Sequence, residues 1–151
     1  MQSTNNWSIH SIAGAYALAL APHGYYYVKM MASAKGNASN LLPRENLNNL
    51  KAHISSEVWN KLSRARGAHL NALEGLPLFA AAMLVGNIAK LPSSDLNLIA
   101  AEYLGARVLY TALYMGARSE FMSYIRTGVW AWSIALPIWG LIKAGRVFQG
   151  E

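Results

Sequence analysis

No Lys, Arg, Asp or Glu occurs between Met1 and Val28, and three stretches further along the chain are almost as free of charge. A bilayer core about 30 Å thick takes about 20 helical residues to cross. Four stretches are long enough: approximately Trp7 to Met31, Gly67 to Ala89, Leu96 to Ala117 and Met122 to Lys143. The second carries only Glu74 inside it, the third Glu102 and Arg107, and the fourth Arg126 near its start. The chain is 54% hydrophobic and 13% charged, where soluble domains carry roughly 25% charged residues. These features predict an all-α, transmembrane four-helix bundle forming a single domain over residues 1–151. A soluble bundle with helices apolar all round would also fit short runs such as Gly75 to Ala89. Trp7, Tyr25, Tyr26, Tyr27, Trp130 and Trp139 near the span ends resemble interfacial aromatic belts and favour the membrane.

The chain has no cysteine, so disulfides, thiolate metal sites and a cysteine nucleophile are excluded, and thiol chemistry requires a ligand. The net charge of +6 sits beside apolar segments rather than on a polar, aromatic-interleaved surface, which argues against nucleic acid. The first stretch lacks the basic leader of a signal peptide and reads as a retained helix. Residues 34–66 are rich in Asn and Ser, contain Pro43, and hold Lys35, Arg44, Lys51, Lys61, Arg64 and Arg66, so they read as a polar loop. With Arg118 and Arg126 at the third connection, the positive-inside rule places that loop and the third connection in the cytoplasm, and both termini opposite.

Charge inside a span costs roughly 2.5–3.5 kcal/mol at mid-helix and calls for a partner or a purpose. Asn71 and Glu74 share a helix face, with Arg64 two turns earlier on nearly the same face. Together they suit a zwitterionic ligand, since a carboxylate accepts from an ammonium while Asn and Arg bind carboxylates and peptide groups. The alternative is an interhelical clamp in which Glu74 pairs with Arg107. On the third span Tyr103, Arg107, Tyr110, Tyr114 and Arg118 form one stripe, suited to a polar cavity for an anionic, partly apolar ligand or to core packing around one ion pair. His69 has no partner at metal-ligand spacing, and His10, His23 and His53 suggest no site, so no metal is expected.

The run Arg64-Ala-Arg-Gly-Ala-His-Leu-Asn71-Ala-Leu-Glu74-Gly-Leu-Pro77-Leu-Phe79 resembles the second-helix signature of the MAPEG family, the membrane-associated proteins of eicosanoid and glutathione metabolism. Pro43-Arg44, Arg107-Val-Leu-Tyr110 and Tyr114-Met-Gly116 agree with it, so the resemblance covers nearly the whole chain in order. It implies four membrane helices, a homotrimer with glutathione sites between subunits, and residence in the endoplasmic reticulum where the cell has one. It further implies that Arg64, Asn71, Glu74, Arg107, Tyr110 and Tyr114 bind glutathione as co-substrate. Arg126, near the start of the fourth helix, would then stabilise the thiolate that attacks lipophilic electrophiles or lipid hydroperoxides, and Arg118 competes for that role. The family also leads one to expect a first-helix cation, for which Lys29 or Lys35 is available. Gly67 departs from the pattern, standing where synthase-like members carry a ligand-binding Arg. The rival expectations are a non-catalytic member that presents lipid to a partner, and a purely structural membrane bundle.

Overall fold

The computed structural model describes residues 5–117 and 119–151. These residues form five helices: α1 Ser8–Ala34, α2 Asn46–Leu50, α3 Ser56–Ile88, α4 Ser93–Gly116 and α5 Glu120–Gln149. The four long ones run antiparallel in sequence order. Packing contacts join α1 to α3 and α4, α5 to α3 and α4, and α3 to α4, so α3 and α4 lie across the short diagonal of the bundle. The side chains on these two helices are therefore the ones placed at its centre.

The helix boundaries have local causes. Lys35 and Gly36 take left-handed backbone conformations, with φ of 44° and 90°, and end α1. Ser55 caps α3 by accepting from the Val58 amide, and Ser119 caps α5 by accepting from the Met122 amide. Glu57 and Glu120 occupy the first turns, where the helix dipole favours negative charge. Thus α3 begins well before the apolar stretch that starts near Gly67.

The polar region 34–66 is more ordered than a loop reading implies. It contains α2 and the first turns of α3. Asn46, buried, donates to the Ser39 carbonyl at 2.9 Å and accepts from the Ser39 amide at 2.8 Å. The Trp59 indole on α3 donates to the Leu47 carbonyl at 3.1 Å. Pro43 breaks regular helix as expected, but the Asn46–Ser39 pair orders the residues before α2 and the Trp59 hydrogen bond ties α2 to α3.

Two of the four long helices, α3 and α5, are long and apolar enough to cross a membrane by length and composition alone. In α1 the uncharged run is diluted by Ser, His, Gly, Pro and Tyr, and α4 carries Asp95, Glu102 and Arg107. Only 33% of the most apolar stretch of α3 and 22% of that of α5 is buried within the chain. The apolar faces therefore point largely outward, unlike those of core helices in a soluble bundle.

The core lies where α3 and α4 cross. Phe79 and Tyr103 stack with ring centroids 4.0 Å apart and an interplanar angle of 4°. Ala82, Met83, Leu96, Ile99 and Ala100 surround them, and Ala15 and Ala144 close the cluster from α1 and α5. Close approach depends on Gly86, where a Cβ would lie 2.6 Å from the Leu96 Cδ2. A second cluster, at the other end, joins Tyr26, Met30 and Ala34 to Leu47, Leu50 and Leu62.

The two ends are tied differently. At the end holding the termini, Asn6 donates to Asn87, Asn97 accepts from the Trp7 amide, and Lys143 pairs with Asp95 at 2.6 Å. At the end holding residues 35–55, Arg64 Nε donates to the Met115 carbonyl at 3.3 Å, placing a cation at the C-terminus of α4. Within α1, Pro22 removes one amide donor from the helix ladder. Nearby on the same helix, the Ala19 carbonyl accepts from His69 Nδ1 of α3 at 2.7 Å. A carbonyl only accepts, so Nδ1 carries the proton.

Phe79 is fully buried. Phe79→Ala is expected to cost about 3–5 kcal/mol through the cavity it leaves. Reversible unfolding of the detergent-solubilised chain checks this, and a loss below about 1 kcal/mol would show that the stack is not central to the core.

Candidate functional site

Asn71 on α3, Tyr110 on α4, and Arg126, Thr127 and Trp130 on α5 line one pocket of about 170 Å³. Three helices thus contribute, and each residue reaches the pocket through its helical register. Arg126 and Trp130 are one turn apart on α5, as are Ser123 and Arg126. Arg126 Nη2 donates to the Ser123 hydroxyl at 2.9 Å, and its guanidinium carbon lies 4.6 Å from the centre of the Tyr114 ring. The guanidinium is half-buried and held from two directions, and no carboxylate neutralises it among the described residues.

Arg107 forms the floor of this arrangement. It is 4% exposed, and its Nη2 donates to the Asn71 side-chain oxygen at 2.9 Å. Its guanidinium carbon lies 4.8 Å from the Tyr110 ring, while Nη1 is buried without a hydrogen-bond partner. Tyr110 and Tyr114 are tilted against each other with centroids 5.6 Å apart. One network therefore runs Asn71, Arg107, Tyr110, Tyr114, Arg126 and Ser123 across α3, α4 and α5.

The residues anticipated from sequence divide on this map. Asn71, Tyr110 and Arg126 meet in the pocket, with Arg107 and Tyr114 directly behind. Arg64 turns away to the Met115 carbonyl. Glu74 is exposed, and the ion pairs among the described residues are Lys61–Glu57 and Lys143–Asp95, so the Glu74–Arg107 clamp is not formed. Arg107 is held by an amide and an aromatic face instead. Tyr103, at the head of the polar stripe, belongs to the core beside Phe79. Arg118 lies outside the described residues.

Ser123, Thr127 and Trp130 were not anticipated as site residues. Trp130 reads as an interfacial aromatic when hydropathy is the only guide, yet it stands four residues beyond Arg126 and so shares its face. That spacing is the signal that would have found it. Gly67 also acquires a reason, since a Cβ there would lie 2.6 Å from the Tyr114 hydroxyl oxygen. Its missing side chain is the space into which Tyr114 fits.

The Arg107–Asn71 bond can be tested by a double-mutant cycle with Arg107→Ala and Asn71→Ala. A coupling of about 1.5–3 kcal/mol in unfolding free energy is expected for a hydrogen bond to a buried charge. Additivity within about 0.5 kcal/mol would show that the two side chains act independently.

Neither the curated proteins nor the solved structures return a match. The family model described as MAPEG family matches residues 9–146. That match takes in nearly all of the four long helices and every residue lining the pocket, and the chain therefore belongs to the MAPEG family.

Proposed function

We propose that the protein is a multi-pass membrane enzyme that activates glutathione for conjugation to lipophilic electrophiles or for reduction of lipid hydroperoxides. The observation that carries this reading is the convergence of Asn71, Tyr110 and Arg126, from three helices, on one pocket. MAPEG membership supports it, because the family includes glutathione transferases and peroxidases. A guanidinium beside a thiol favours the thiolate, and the thiolate is the nucleophile. Arg126 is in position for that task, oriented by Ser123 and by the face of Tyr114.

In conjugation the glutathione thiolate forms a bond to an electrophilic carbon while the bond from that carbon to a leaving group, or to the oxygen of an epoxide, breaks with its electron pair; the leaving group departs as an anion, whereas the epoxide oxygen stays on the product and takes up a proton. In peroxide reduction the sulfur attacks one peroxide oxygen, the O–O bond breaks and the alcohol is released. A second glutathione then converts the sulfenic product to disulfide and water.

At about 170 Å³ the pocket is smaller than the roughly 300–1,000 Å³ usual for a site enclosing a whole ligand. On this reading one chain supplies the thiol end, and a neighbouring copy in a homotrimer completes the site. Two features support the neighbour. Glu74 stands exposed on α3 without an ion-pair partner among the described residues, free to meet the glutathione ammonium. Much of the apolar surface of α3 and α5 also faces outward. The buried Nη1 of Arg107, lacking an acceptor, is a further donor for an anionic ligand. On this reading the end holding residues 35–55 faces the cytoplasm, a topology that its cluster of basic residues supports through the positive-inside rule, and the membrane in a eukaryotic cell is the endoplasmic reticulum.

In purified protein, addition of glutathione at pH 7 is expected to give thiolate absorbance in the ultraviolet. In Arg126→Ala that absorbance should appear only as the pH approaches the ordinary thiol range, about 8.5. Equal thiolate at pH 7 in both proteins would remove Arg126 from the role. Glu74→Gln is expected to weaken glutathione binding about tenfold or more, as loss of a charge-assisted hydrogen bond does. Calorimetry reads this directly, and unchanged affinity would exclude Glu74 from the site. If wild-type protein gave neither thiolate nor binding, lipid presentation or a structural role would replace the enzymatic reading.

A further inference from the structure

Gly67 stands inside α3 at a point where the backbone has no need of glycine. Its φ lies outside the left-handed region, which among the described glycines only Gly36 and Gly150 occupy. Glycine also weakens a helix interior relative to alanine. The reason for it lies in the space opposite. A Cβ at Gly67 would lie 2.6 Å from the Tyr114 hydroxyl oxygen and 3.0 Å from both Cε1 and Cζ of the same ring. Gly105, Gly116, Gly128 and Gly145, by contrast, face open space. The tip of the Tyr114 ring therefore occupies the place that a side chain at residue 67 would fill.

The antiparallel register of α3 and α4 fixes the backbones on either side of this contact. Arg64, one turn before Gly67, donates from Nε to the Met115 carbonyl at 3.3 Å, and Asn71, one turn after it, accepts from Arg107 at 2.9 Å. With the helix pair held at both points, a side chain at residue 67 would displace the ring before the backbones. On its flank the Tyr114 ring meets Tyr110, with centroids 5.6 Å apart, and its face carries the Arg126 guanidinium at 4.6 Å. The other tether of Arg126 is the Ser123 hydroxyl at 2.9 Å, on the same helix, and it travels with α5. The Tyr114 face is thus the contact that ties the guanidinium to α3 and α4, the helices that carry the pocket walls Asn71 and Tyr110. A long, rotamer-rich side chain without such a contact spreads over several positions, and its action on a reacting group depends on where it sits.

We propose that Gly67 is a positioning residue for Arg126: its missing side chain seats the Tyr114 ring, and the seated ring holds the guanidinium in register with the pocket walls on α3 and α4. Gly67 does not line the pocket and acts through Tyr114. The inference rests on the reading of Arg126 as the group that stabilises the glutathione thiolate, and supplies the reason that group stands where it does.

Two measurements on the full detergent-purified chain test it. At saturating glutathione and pH 7, Gly67→Ala should lower the thiolate absorbance about threefold or more, the scale of one cation–π contact, with the helical circular dichroism unchanged. Tyr114→Leu, which removes the aromatic face and leaves Gly67 in place, should lower it to a similar extent. The loss caused by Gly67→Ala should shrink in a Tyr114→Phe background, because the hydroxyl oxygen is the atom in closest conflict with the new Cβ. An equal loss in both backgrounds, or full thiolate in Gly67→Ala or in Tyr114→Leu, overturns the proposal. The second measurement needs no glutathione. Gly67→Ala should change the unfolding midpoint more adversely in wild type than in Arg126→Ala, and additive changes also overturn the proposal. A wild-type protein that forms no thiolate would remove the glutathione reading, while non-additive midpoints would still establish the positioning, so the two failures are separately visible.

Discussion

A buried guanidinium with no carboxylate to pair it is the constraint around which the bundle is organised. Arg107 stands 4% exposed in the middle of α4, and the side chains that hold it are the Asn71 amide and the Tyr110 ring. Burying a charge is expensive, and it is tolerated where hydrogen bonds and polarisable faces replace water. Asn71 and Tyr110 must therefore stay where they are, and that requirement fixes the relative register of α3 and α4. The same two side chains then serve as walls of the pocket in front of Arg126. The cost of one buried cation and the shape of the candidate site share a single solution.

Along its length the bundle sets a dry layer between two polar ends. Around Phe79 and Tyr103 the helices approach through small residues and stacked rings, and Gly86 lets Leu96 lie against α3. Toward the other end the contacts become polar and aromatic, with Gly67 making room for Tyr114 and Arg126 resting on that ring. A rigid apolar layer beneath a polar end is a physically sensible support for a site, because packing holds the helices while the polar side chains stay available to a ligand. The ordered segment between α1 and α3 extends this polar end sideways. MAPEG membership is consistent with that plan, since the family match takes in the segment between α1 and α3 as well as the four long helices.

The sequence by itself determined the class of the fold and much of the cast. Long uncharged runs dictate helices, because a backbone in an apolar surrounding must satisfy its own hydrogen bonds, and the described residues are helical through nearly all of those runs. The spacing of Asn71 on one helix and of Arg107, Tyr110 and Tyr114 on another was legible because helical periodicity places them on shared faces. On length and composition, however, two rather than four helices reach the apolarity of a span. Tyr, His, Gly and polar side chains dilute α1 and α4, and several of those on α1, such as Tyr16, His23 and Tyr27, stand exposed on the chain's outer surface while Tyr26 and Ser11 are buried, a division a linear count cannot make.

Tertiary structure alone decided which polar residues meet. Arg64 and Asn71 share a helix face, yet Arg64 caps α4 while Asn71 faces Arg107. Glu74 looked like the natural counter-charge to Arg107 and instead stands exposed. Tyr103 and Tyr110 lie on one stripe, yet one is core and the other lines the pocket, because the stripe passes from the Phe79 contact to the gap in front of α5. Periodicity within a helix states which side chains point the same way. What stands opposite them depends on the rotation, tilt and offset of a neighbouring helix, and these are set by the sum of many weak packing contacts that no single spacing in the chain encodes.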